Sequence, residues 1–281
     1  MAYTVLMVDI RKSRQYQQWE RQELQDFCLK TVELLNGIFA DALVKNVEFS
    51  AGDELQGLFK RMEAAFLYLR LLRMLLWDKD VYAGIGHGDW TVQVVGRGTT
   101  FQDGPAYHHA RKALEACKKA KDYSVVVCTD AGLDGMSSAL LNSLFSLNER
   151  LTRYQNELWL LLEILWPVGD PLLLNESHVR DMVDLLDYKS TLTIFKKETQ
   201  RSIFRTIKEN GMFIRPTQKQ RVRDVLMPGH LHGAVSKLTE LTGLQQQSID
   251  KALRNSNIFV ERNTAFAMVE YLQKELKGEK L

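Results

Sequence analysis

Residues 47–59 read Val47-Glu48-Phe49-Ser50-Ala51-Gly52-Asp53-Glu54-Leu55-Gln56-Gly57-Leu58-Phe59. Apolar residues alternate with polar ones before the Ser-Ala-Gly-Asp step and return after it, which predicts two strands joined by a tight turn. Gly52 suits the turn because glycine adopts a positive φ at no steric cost. The carboxylates of Asp53 and Glu54 follow at once. Because Mg²⁺ favours oxygen ligands, the tip of this hairpin is a candidate metal site.

The charge of the chain is distributed unevenly. The 281 residues carry a net charge of only +2, with 26% charged and 45% hydrophobic residues, as expected for a globular protein with one large or two ordinary domains. Residues 1–135 contain 17 Lys and Arg against 18 Asp and Glu, whereas residues 196–262 contain 13 against 6. This asymmetry predicts a near-neutral first domain and a basic second one.

The cysteines and the lengths of the apolar runs indicate the cellular compartment of the protein. Cys28, Cys117 and Cys128 have no metal-ligand spacing, and an odd number argues against a disulfide framework, so we expect reduced core residues. The N-terminus leads directly into a strand pattern without a basic signal region. The longest apolar run, residues 158–166, is far shorter than the roughly 20 residues needed to cross a bilayer. We therefore expect a cytoplasmic protein that does not enter the membrane.

The first half of the chain alternates strand and helix patterns. Residues 3–10 form a nearly continuous apolar run, typical of a central strand covered on both faces. Asp9 near its end is either a cap for the next helix or a metal ligand. The other predicted elements are a helix (13–43), the hairpin, a helix (62–77), a strand (81–88), a helix (107–121) and a strand (123–128). This order predicts an α+β fold, a ferredoxin-like palm with an antiparallel sheet and helices on one face.

Two further stretches suggest contact with a ligand. Three glycines within residues 84–88 indicate that another backbone or a ligand comes close to the strand. A turn at residues 103–106 begins the next helix, and its first turn could receive a phosphate at the positive end of the helix dipole. An exposed helix start with incidental polar residues is an equal alternative. The candidate phosphate- or nucleotide-binding residues are Ser50, Gly52, Asp103, His108 and Arg111.

Several blocks together resemble the SatD family, a family of bacterial proteins. They are Val8-Asp9-Ile10-Arg11-Lys12-Ser13, Ser50-Ala51-Gly52-Asp53-Glu54-Leu55-Gln56-Gly57, the glycines of 84–88, and Asp103-Gly104-Pro105-Ala106-Tyr107 with Ala110-Arg111. These blocks in turn are similar to the catalytic core of class III nucleotidyl cyclases and diguanylate cyclases. That resemblance implies that Asp9, Asp53 and Glu54 hold Mg²⁺ or Mn²⁺ against a nucleotide or another phosphorylated ligand.

The resemblance to the cyclases is incomplete at two places. Phe49 stands where cyclases that select a purine have Lys or Glu. The later helix reads His108-His109-Ala110-Arg111, without the Asn of the Asn-x-Ala-x-Arg pattern. The residues that would bind metal are present, whereas those that would select a base and stabilise the transition state are not. We therefore expect binding of metal and nucleotide without cyclase activity.

A second stretch of helical pattern follows the first domain. Residues 136–166 carry a continuous leucine stripe and precede Pro167. They are predicted to be either a connecting helix within a 136–169 linker or a dimerisation helix, since Trp159 and Trp166 add apolar area outside the stripe. Residues 168–171 are predicted to be a linker turn that opens a final helical domain, residues 170–281.

That final domain contains a helix-turn-helix pattern, with or without a wing, at residues 235–253. Gly243 allows the turn, and apolar residues at helical spacing pin the two helices. The residues predicted to face DNA are Gln245, Gln246, Gln247, Ser248, Lys251 and Arg254. Residues 199–207 form a degenerate copy of the second helix. The alternative for both units is a helical hairpin that binds protein, but the basic surplus favours DNA.

These patterns lead to one hypothesis and two alternatives. The hypothesis is a cytoplasmic regulator in which a metal- and nucleotide-binding palm is coupled to a helix-turn-helix domain for DNA or a partner protein. The first alternative is a metal-dependent nucleotidyl or phosphoryl transferase that uses Asp9, Asp53 and Glu54, with Arg111 on phosphate. The second is an inert palm that serves as a scaffold for a homodimer.

Overall fold

The computed structural model describes residues 2–169, 174–195, 201–215 and 233–275. These residues form a mixed α+β structure with six strands in one sheet and ten α-helices. The strands are β1 (Ala2–Ile10), β2 (Leu43–Ala51), β3 (Glu54–Phe59), β4 (Val81–Asp89), β5 (Val125–Thr129) and β6 (Gly132–Asp134). The helices are α1 (Gln18–Ile38), α2 (Met62–Leu76), α3 (Pro105–Ala120), α4 (Gly135–Ser146), α5 (Arg153–Leu165), α6 (Glu176–Lys189), α7 (Ile203–Glu209), α8 (Ala234–Thr242), α9 (Gln246–Asn255) and α10 (Ile258–Glu275).

The strands lie in the order β2-β3-β1-β4-β5-β6. All neighbours are antiparallel except β4 and β5, which are parallel. The predicted hairpin of β2 and β3 is confirmed, and Gly52 has a φ of 62° in its turn. The central position predicted for the first strand is confirmed as well, because β1 lies between β3 and β4 and its Val5–Val8 segment is almost fully buried.

The two faces of the sheet carry different helices. Leu6 and Val8 of β1 pack into the large core that includes α1 and α2, whereas Val5 and Met7 pack against α3. The expectation of helices on one face only is therefore wrong. A Cβ atom at Gly86 would lie 2.1 Å from the backbone N of Ala110 in α3. The glycines of β4 thus admit the close approach of a backbone, as their presence in a strand predicts.

Two predicted helices are shorter than the sequence pattern indicates. The stretch 13–43 begins as a single 3-10 turn, Ser13–Gln15, and α1 ends at Ile38 before β2 starts. The stretch 136–166 is not one connecting helix but two, α4 and α5. Thr152 and Gln155 form a reciprocal capping box, which starts α5 as a separate helix. Trp159 is 6% exposed, so it packs inside the core and offers no outer surface for a dimer.

The helices after residue 174 pack against the sheet half of the molecule. One continuous cluster of buried side chains runs from Leu6 to Leu272, and α10 contacts both α2 and α4. The described parts of 174–275 therefore share a core with the sheet. The division at residues 135 and 170 stays a prediction, and Asp170 and Pro171 of the predicted linker lie outside the described residues. No helix in the described ranges has the length and apolar character needed to cross a membrane.

Candidate functional site

Asp9 and Glu54 face each other on neighbouring strands. They are direct partners in the antiparallel register of β1 and β3, near the end of β1 and at the start of β3. Cross-strand partners have Cβ atoms about 5 Å apart and lie on the same face of the sheet. The β1 pattern and the hairpin together therefore bring two carboxylates side by side on the face that α3 covers.

Each of these carboxylates forms an ion pair with a side chain of α3. Arg111 donates from Nη1 and Nη2 to the two oxygens of Glu54, both at 2.6 Å. Lys118 donates from Nζ to Asp9 Oδ2 at 2.5 Å. Residues seven apart lie on one face of a helix, so Arg111 and Lys118 stand in line above the two strands. The result is a compact cluster of two acids and two bases.

The pKa of Glu54 reflects these partners. Burial on its own would raise it, but hydrogen bonds from Arg111 and Ser50 and the charges of Arg111 and Lys118 outweigh burial and hold it below the ordinary value of 4.5. Ser50 Oγ donates to Glu54 Oε1 at 2.9 Å. The hydrogen bond to Glu54 in turn raises the pKa of Arg111. Both groups are therefore charged at neutral pH.

Asp53 has a separate partner. Its Oδ2 accepts a close hydrogen bond from the hydroxyl of Ser13, in the turn after β1. The three predicted metal ligands thus each bond to a different group. Within the described ranges, no group of three or more His, Cys, Asp or Glu side chains is arranged to hold a metal ion. Asp9 and Glu54 supply two carboxylates, and one or two is the number that Mg²⁺ commonly takes from a protein beside phosphate oxygens.

Asp103 and His108 do not join this cluster. Asp103 accepts from the backbone N of Gly104 at 2.8 Å, and His108 Nε2 lies 3.4 Å from its Oδ1. The beginning of α3 packs over Gly88 of β4, whereas Asp9 pairs with Tyr82, six residues earlier on the same strand. Six residues of strand correspond to roughly 20 Å. Of the predicted phosphate-binding residues, Ser50, Gly52 and Arg111 are near the acids, and Asp103 and His108 are not.

Two residues of the cluster, Lys118 and Ser13, are absent from the sites predicted from the sequence. Lys118 was not singled out, although its spacing of seven from Arg111 places both on one helix face. Ser13 was included in the 8–13 block without a role. The helical spacing could have identified Lys118. The bond from Ser13 to Asp53 depends on how the turn after β1 folds, and no local pattern indicates it.

The helix-turn-helix stretch folds as two helices joined by a tight turn. Gly243 ends α8 with a φ of 67°, and Ile249 and Leu253 of α9 are buried. The residues predicted to face DNA are all exposed; they are Gln245, Gln246, Gln247, Ser248, Lys251 and Arg254. Arg254 donates to Asp250 at 2.8 Å, so its charge is partly neutralised. The exposed face therefore carries more amide and hydroxyl groups than free positive charge.

The basic surplus of this half is largely paired where the structure describes it. Arg205 contacts Asp187 at 3.0 Å, and Lys208 contacts the same carboxylate at 3.2 Å. Arg262 is fully buried against Glu163. In the degenerate copy, residues 201–207 are described, and residues 203–207 belong to α7. Thr199 and Gln200 lie outside the described residues. The count of Lys and Arg thus overstates the positive surface of the described part.

Comparison with known proteins identifies one family. No curated protein matches the sequence. The sequence model of the SatD family matches residues 3–162, which contain the sheet except for Ala2 and include the Asp9–Lys118 and Glu54–Arg111 pairs. The matched segment is more than half of the 281 residues. The chain therefore belongs to the SatD family.

Proposed function

We propose that the acid–base cluster beneath α3 binds a nucleotide or another phosphorylated ligand together with Mg²⁺ or Mn²⁺, and that the protein is a regulator that senses this ligand. The observation that carries the proposal is the pairing of Asp9 with Lys118 and of Glu54 with Arg111 at adjacent positions. A metal–phosphate complex has the matching charges, a cation for the carboxylates and an anion for the bases. Each side chain can then exchange its present partner for the ligand.

The exchange is energetically modest. The side chains of Arg111 and Lys118 are 43% and 37% exposed, so solvent and ligand reach them. Solvent-exposed ion pairs contribute about 0–1 kcal/mol to stability. The partly exposed pair of Asp9 with Lys118 should contribute a similar amount. The two-point contact of Arg111 with the more buried Glu54 costs more to break. Asp53 would complete the set of carboxylates if its bond to Ser13 were exchanged for the metal.

The order of the strands supports a cyclase-like palm. The order β2-β3-β1-β4, with α1 between β1 and β2 and α2 between β3 and β4, is that of a ferredoxin-like βαββαβ unit. In such a unit the end of β1 and the β2–β3 turn are adjacent. Asp9 and the hairpin acids occupy these two places, which is where the resemblance to the cyclases puts metal ligands.

A sensor is favoured over a transferase by the side chains near the hairpin. Phe49 cannot hydrogen-bond to a purine edge, and the α3 face that carries Arg111 has no Asn in the place known from cyclases. Arg111 is also committed to Glu54 by two hydrogen bonds. The transferase and the inert scaffold remain the rival functions, and one experiment separates all three.

The test is thermal unfolding of the full chain with Mn²⁺ or Mg²⁺ and each nucleoside triphosphate, with analysis of products in the same samples. We expect a rise in Tm that needs both metal and nucleotide, without turnover. Product formation would establish the transferase. If calorimetry detects no binding of any metal or nucleotide, the inert scaffold is the function that agrees with the data.

Variants identify the site. Asp9→Asn, Glu54→Gln and Arg111→Gln should each abolish the metal-dependent rise in Tm, and Asp53→Asn shows whether that carboxylate joins the metal. Asp122→Asn, an exposed acid just after α3, is the matched control. If the three cluster variants respond like the control, the ligand does not bind beneath α3.

The exposed face of α9 supports a second activity, binding of DNA or a partner protein. The supporting observation is the α8–Gly243–α9 turn with six exposed polar residues beginning at Gln245. Gln hydrogen-bonds to adenine and Arg contacts guanine or phosphate in the major groove. Because few free cations lie on this face, we expect weak binding, and the part of it that comes from phosphate contacts should fall as the salt concentration rises.

The test for DNA uses the full chain, since α8 to α10 share a core with the sheet. Fluorescence anisotropy with duplex DNA at increasing salt should give a lower affinity for Lys251→Gln than for Lys237→Gln, a change on the preceding helix. Absence of binding at low salt would exclude DNA and leave a protein partner for this face.

A further inference from the structure

A cavity of about 490 Å³ lies between the C-terminal end of α2, residues 77–80 and the connection of α4 with α5. Its wall includes Arg70, Arg73, Phe145, Asn156 and Trp159. Pockets for small ligands have volumes of about 300–1,000 Å³. None of the residues in the acid–base cluster beneath α3 contributes to this wall, so the cavity is a separate place in the fold.

Arg73 lies in this wall and has no ion pair at contact distance among the described residues, although the charges of Asp80 and Glu149 act on it from farther away. Its guanidinium lies over the ring of Phe145, 4.5 Å from the ring centre. Across the described part of the chain it makes no hydrogen bond or ion pair, whereas its neighbour Arg70 contacts both Glu163 and Glu261. Burial lowers the pKa of Arg73, and the charges of Asp80 and Glu149 offset this only in part. The side chain of Arg73 is half-buried, and an anion in the cavity would supply the direct ion pair that it lacks.

The carboxylates around the cavity have other cations beside them. Lys79 Nζ lies 3.0 Å from Asp78, and Arg11 lies 3.9 Å from Asp80. Glu149 is exposed at the rim, next to the exposed Arg150. Asp78 and Asp80 thus each have a cation within 4 Å, whereas Arg73 has no described carboxylate at that distance and is the place for an added negative charge.

Three buried polar atoms in the same wall lack a hydrogen bond in the described structure: Asp78 Oδ1, which lies 3.0 Å from Lys79 Nζ, and one atom each of Asn156 and Trp159, which have no ion pair either. Asn156 is 2% exposed and donates its amide N–H to the carbonyl of Met74 at 3.1 Å, while its Oδ1 accepts nothing in the described structure. Trp159 is 6% exposed, and its indole Nε1–H has no acceptor in the described structure. Buried polar atoms are nearly always hydrogen-bonded, and each unpaired one costs about 1–3 kcal/mol. The wall residues therefore carry one donor and one acceptor that the described structure leaves unpaired.

We propose that this cavity binds a small organic anion, a phosphate monoester or a carboxylate, that also carries a hydroxyl or amino group. The anionic group pairs with Arg73 and accepts from the indole N–H of Trp159. The hydroxyl or amino group donates to Asn156 Oδ1. The proposal does not depend on the function assigned to the acid–base cluster, because the two sites share no residue.

The test is thermal unfolding of the full chain with glycerol 3-phosphate, lactate or inorganic phosphate, with sodium chloride at matched ionic strength as the reference. We expect a saturable rise in Tm with one of the two organic anions, and a smaller rise with inorganic phosphate, which has no carbon-bound hydroxyl. The organic anion that acts distinguishes a phosphate from a carboxylate site. If neither organic anion exceeds sodium chloride, the proposal is wrong.

Variants connect the response to the cavity. Arg73→Gln should weaken binding at least about tenfold, because a hydrogen bond to a charged group contributes about that factor. Trp159→Phe keeps the ring but removes the indole N–H, and it should weaken binding less while the protein stays folded. Arg97→Gln is the matched control, since Arg97 also lies over a phenylalanine, Phe101, but is exposed and far from the cavity wall.

Two outcomes of the variant series would overturn the assignment. One is an equal loss of binding in Arg97→Gln and Arg73→Gln, which would indicate general attraction of anions. The other is a loss in Arg111→Gln with Arg73→Gln and Trp159→Phe unaffected, which would place the anion beneath α3. If Arg73→Gln does not fold, Trp159→Phe decides: undiminished binding in that variant counts against the cavity.

Discussion

Arg70 and Glu261 are 191 residues apart in the sequence and form a two-point ion pair that is buried from solvent. Arg70 donates from Nε to Oε1 at 2.7 Å and from Nη2 to Oε2 at 2.6 Å. Glu163 of α5 and Arg262 of α10 complete a network of two acids and two bases. Because a buried charge tolerates few other positions, this network fixes α2, α5 and α10 relative to one another.

Removing one member of this network should destabilise the whole molecule. Glu261→Gln leaves a buried guanidinium without a full counter-charge, and we expect a loss of about 3–5 kcal/mol in the free energy of unfolding, measured with urea. Asp250→Asn, which breaks the exposed pair with Arg254, should cost less than about 1 kcal/mol. If Glu261→Gln loses no more free energy of unfolding than Asp250→Asn, the network contributes little to the fold.

The close approach of α3 to β4 should not tolerate a side chain. In Gly86→Ala the new Cβ would lie 2.1 Å from the backbone N of Ala110, so α3 must move, and we expect a loss of about 1–3 kcal/mol or more. Gly135→Ala is the matched control, since nothing lies within 4 Å of its Cβ, and alanine favours the helix. A lower Tm for the control than for Gly86→Ala would contradict this packing.

The Glu54–Arg111 pair should appear in the acid unfolding profile. The pKa of Glu54 is lower in the folded than in the unfolded chain, so its contribution is present above the ordinary value of 4.5 and is lost as pH falls through the folded pKa. Glu54→Gln should therefore reduce the loss of stability below pH 4.5. Arg111→Gln removes the strongest of the interactions that lower this pKa and should change the profile in the same direction. An unchanged profile in Arg111→Gln would show that Glu54 owes its lowered pKa to other groups.

Lys189 should make stability rise with pH in the alkaline range. It donates to the carbonyl of Leu75 at 2.7 Å, and burial lowers its pKa from 10.5 to about 7. Between these two values the unfolded chain binds the extra proton, so the free energy of unfolding increases with pH. Lys189→Met should flatten that increase in chemical denaturation between pH 7 and 10.

The control for Lys189 is Lys119→Met at the exposed end of α3, which removes an equal charge from the surface. Its alkaline profile should follow that of the unmodified chain. If Lys189→Met also leaves the profile unchanged, the rise has another source, and Lys189 is not the group that titrates.

Patterns within short segments of the sequence predict the local structure correctly. The apolar run of residues 3–10 is a central strand, Gly52 and Gly243 both occupy turns with positive φ, and the glycines of β4 mark a close backbone. Each of these depends on neighbours in the sequence or on the conformational freedom of one residue. Helix ends were less predictable, because the Thr152–Gln155 capping box divides a leucine stripe that looks continuous.

Relations between distant segments were not visible in the sequence. The approach of Arg111 to Glu54 and of Lys118 to Asp9 requires α3 to cross the face of the sheet opposite α1 and α2. The separation of Asp103 and His108 from the acids follows from the same placement. Residues of α3 contact residues of two strands only because α3 packs on that face of the sheet. No local sequence pattern specifies which face a helix covers.

By itself the sequence determined the strand and helix order of residues 1–128, the hairpin with its acids and the family, since these reside in periodicity, turn chemistry and the order of motifs along one chain. Only the tertiary structure decided that α3 neutralises Asp9 and Glu54, that Arg70 meets Glu261, and that Arg73 faces a cavity without a described carboxylate at contact distance. The physical reason is that charges and polar atoms find partners by proximity in space. Proximity across 50 to 190 residues is set by the packing of the whole core, which short-range propensities do not encode.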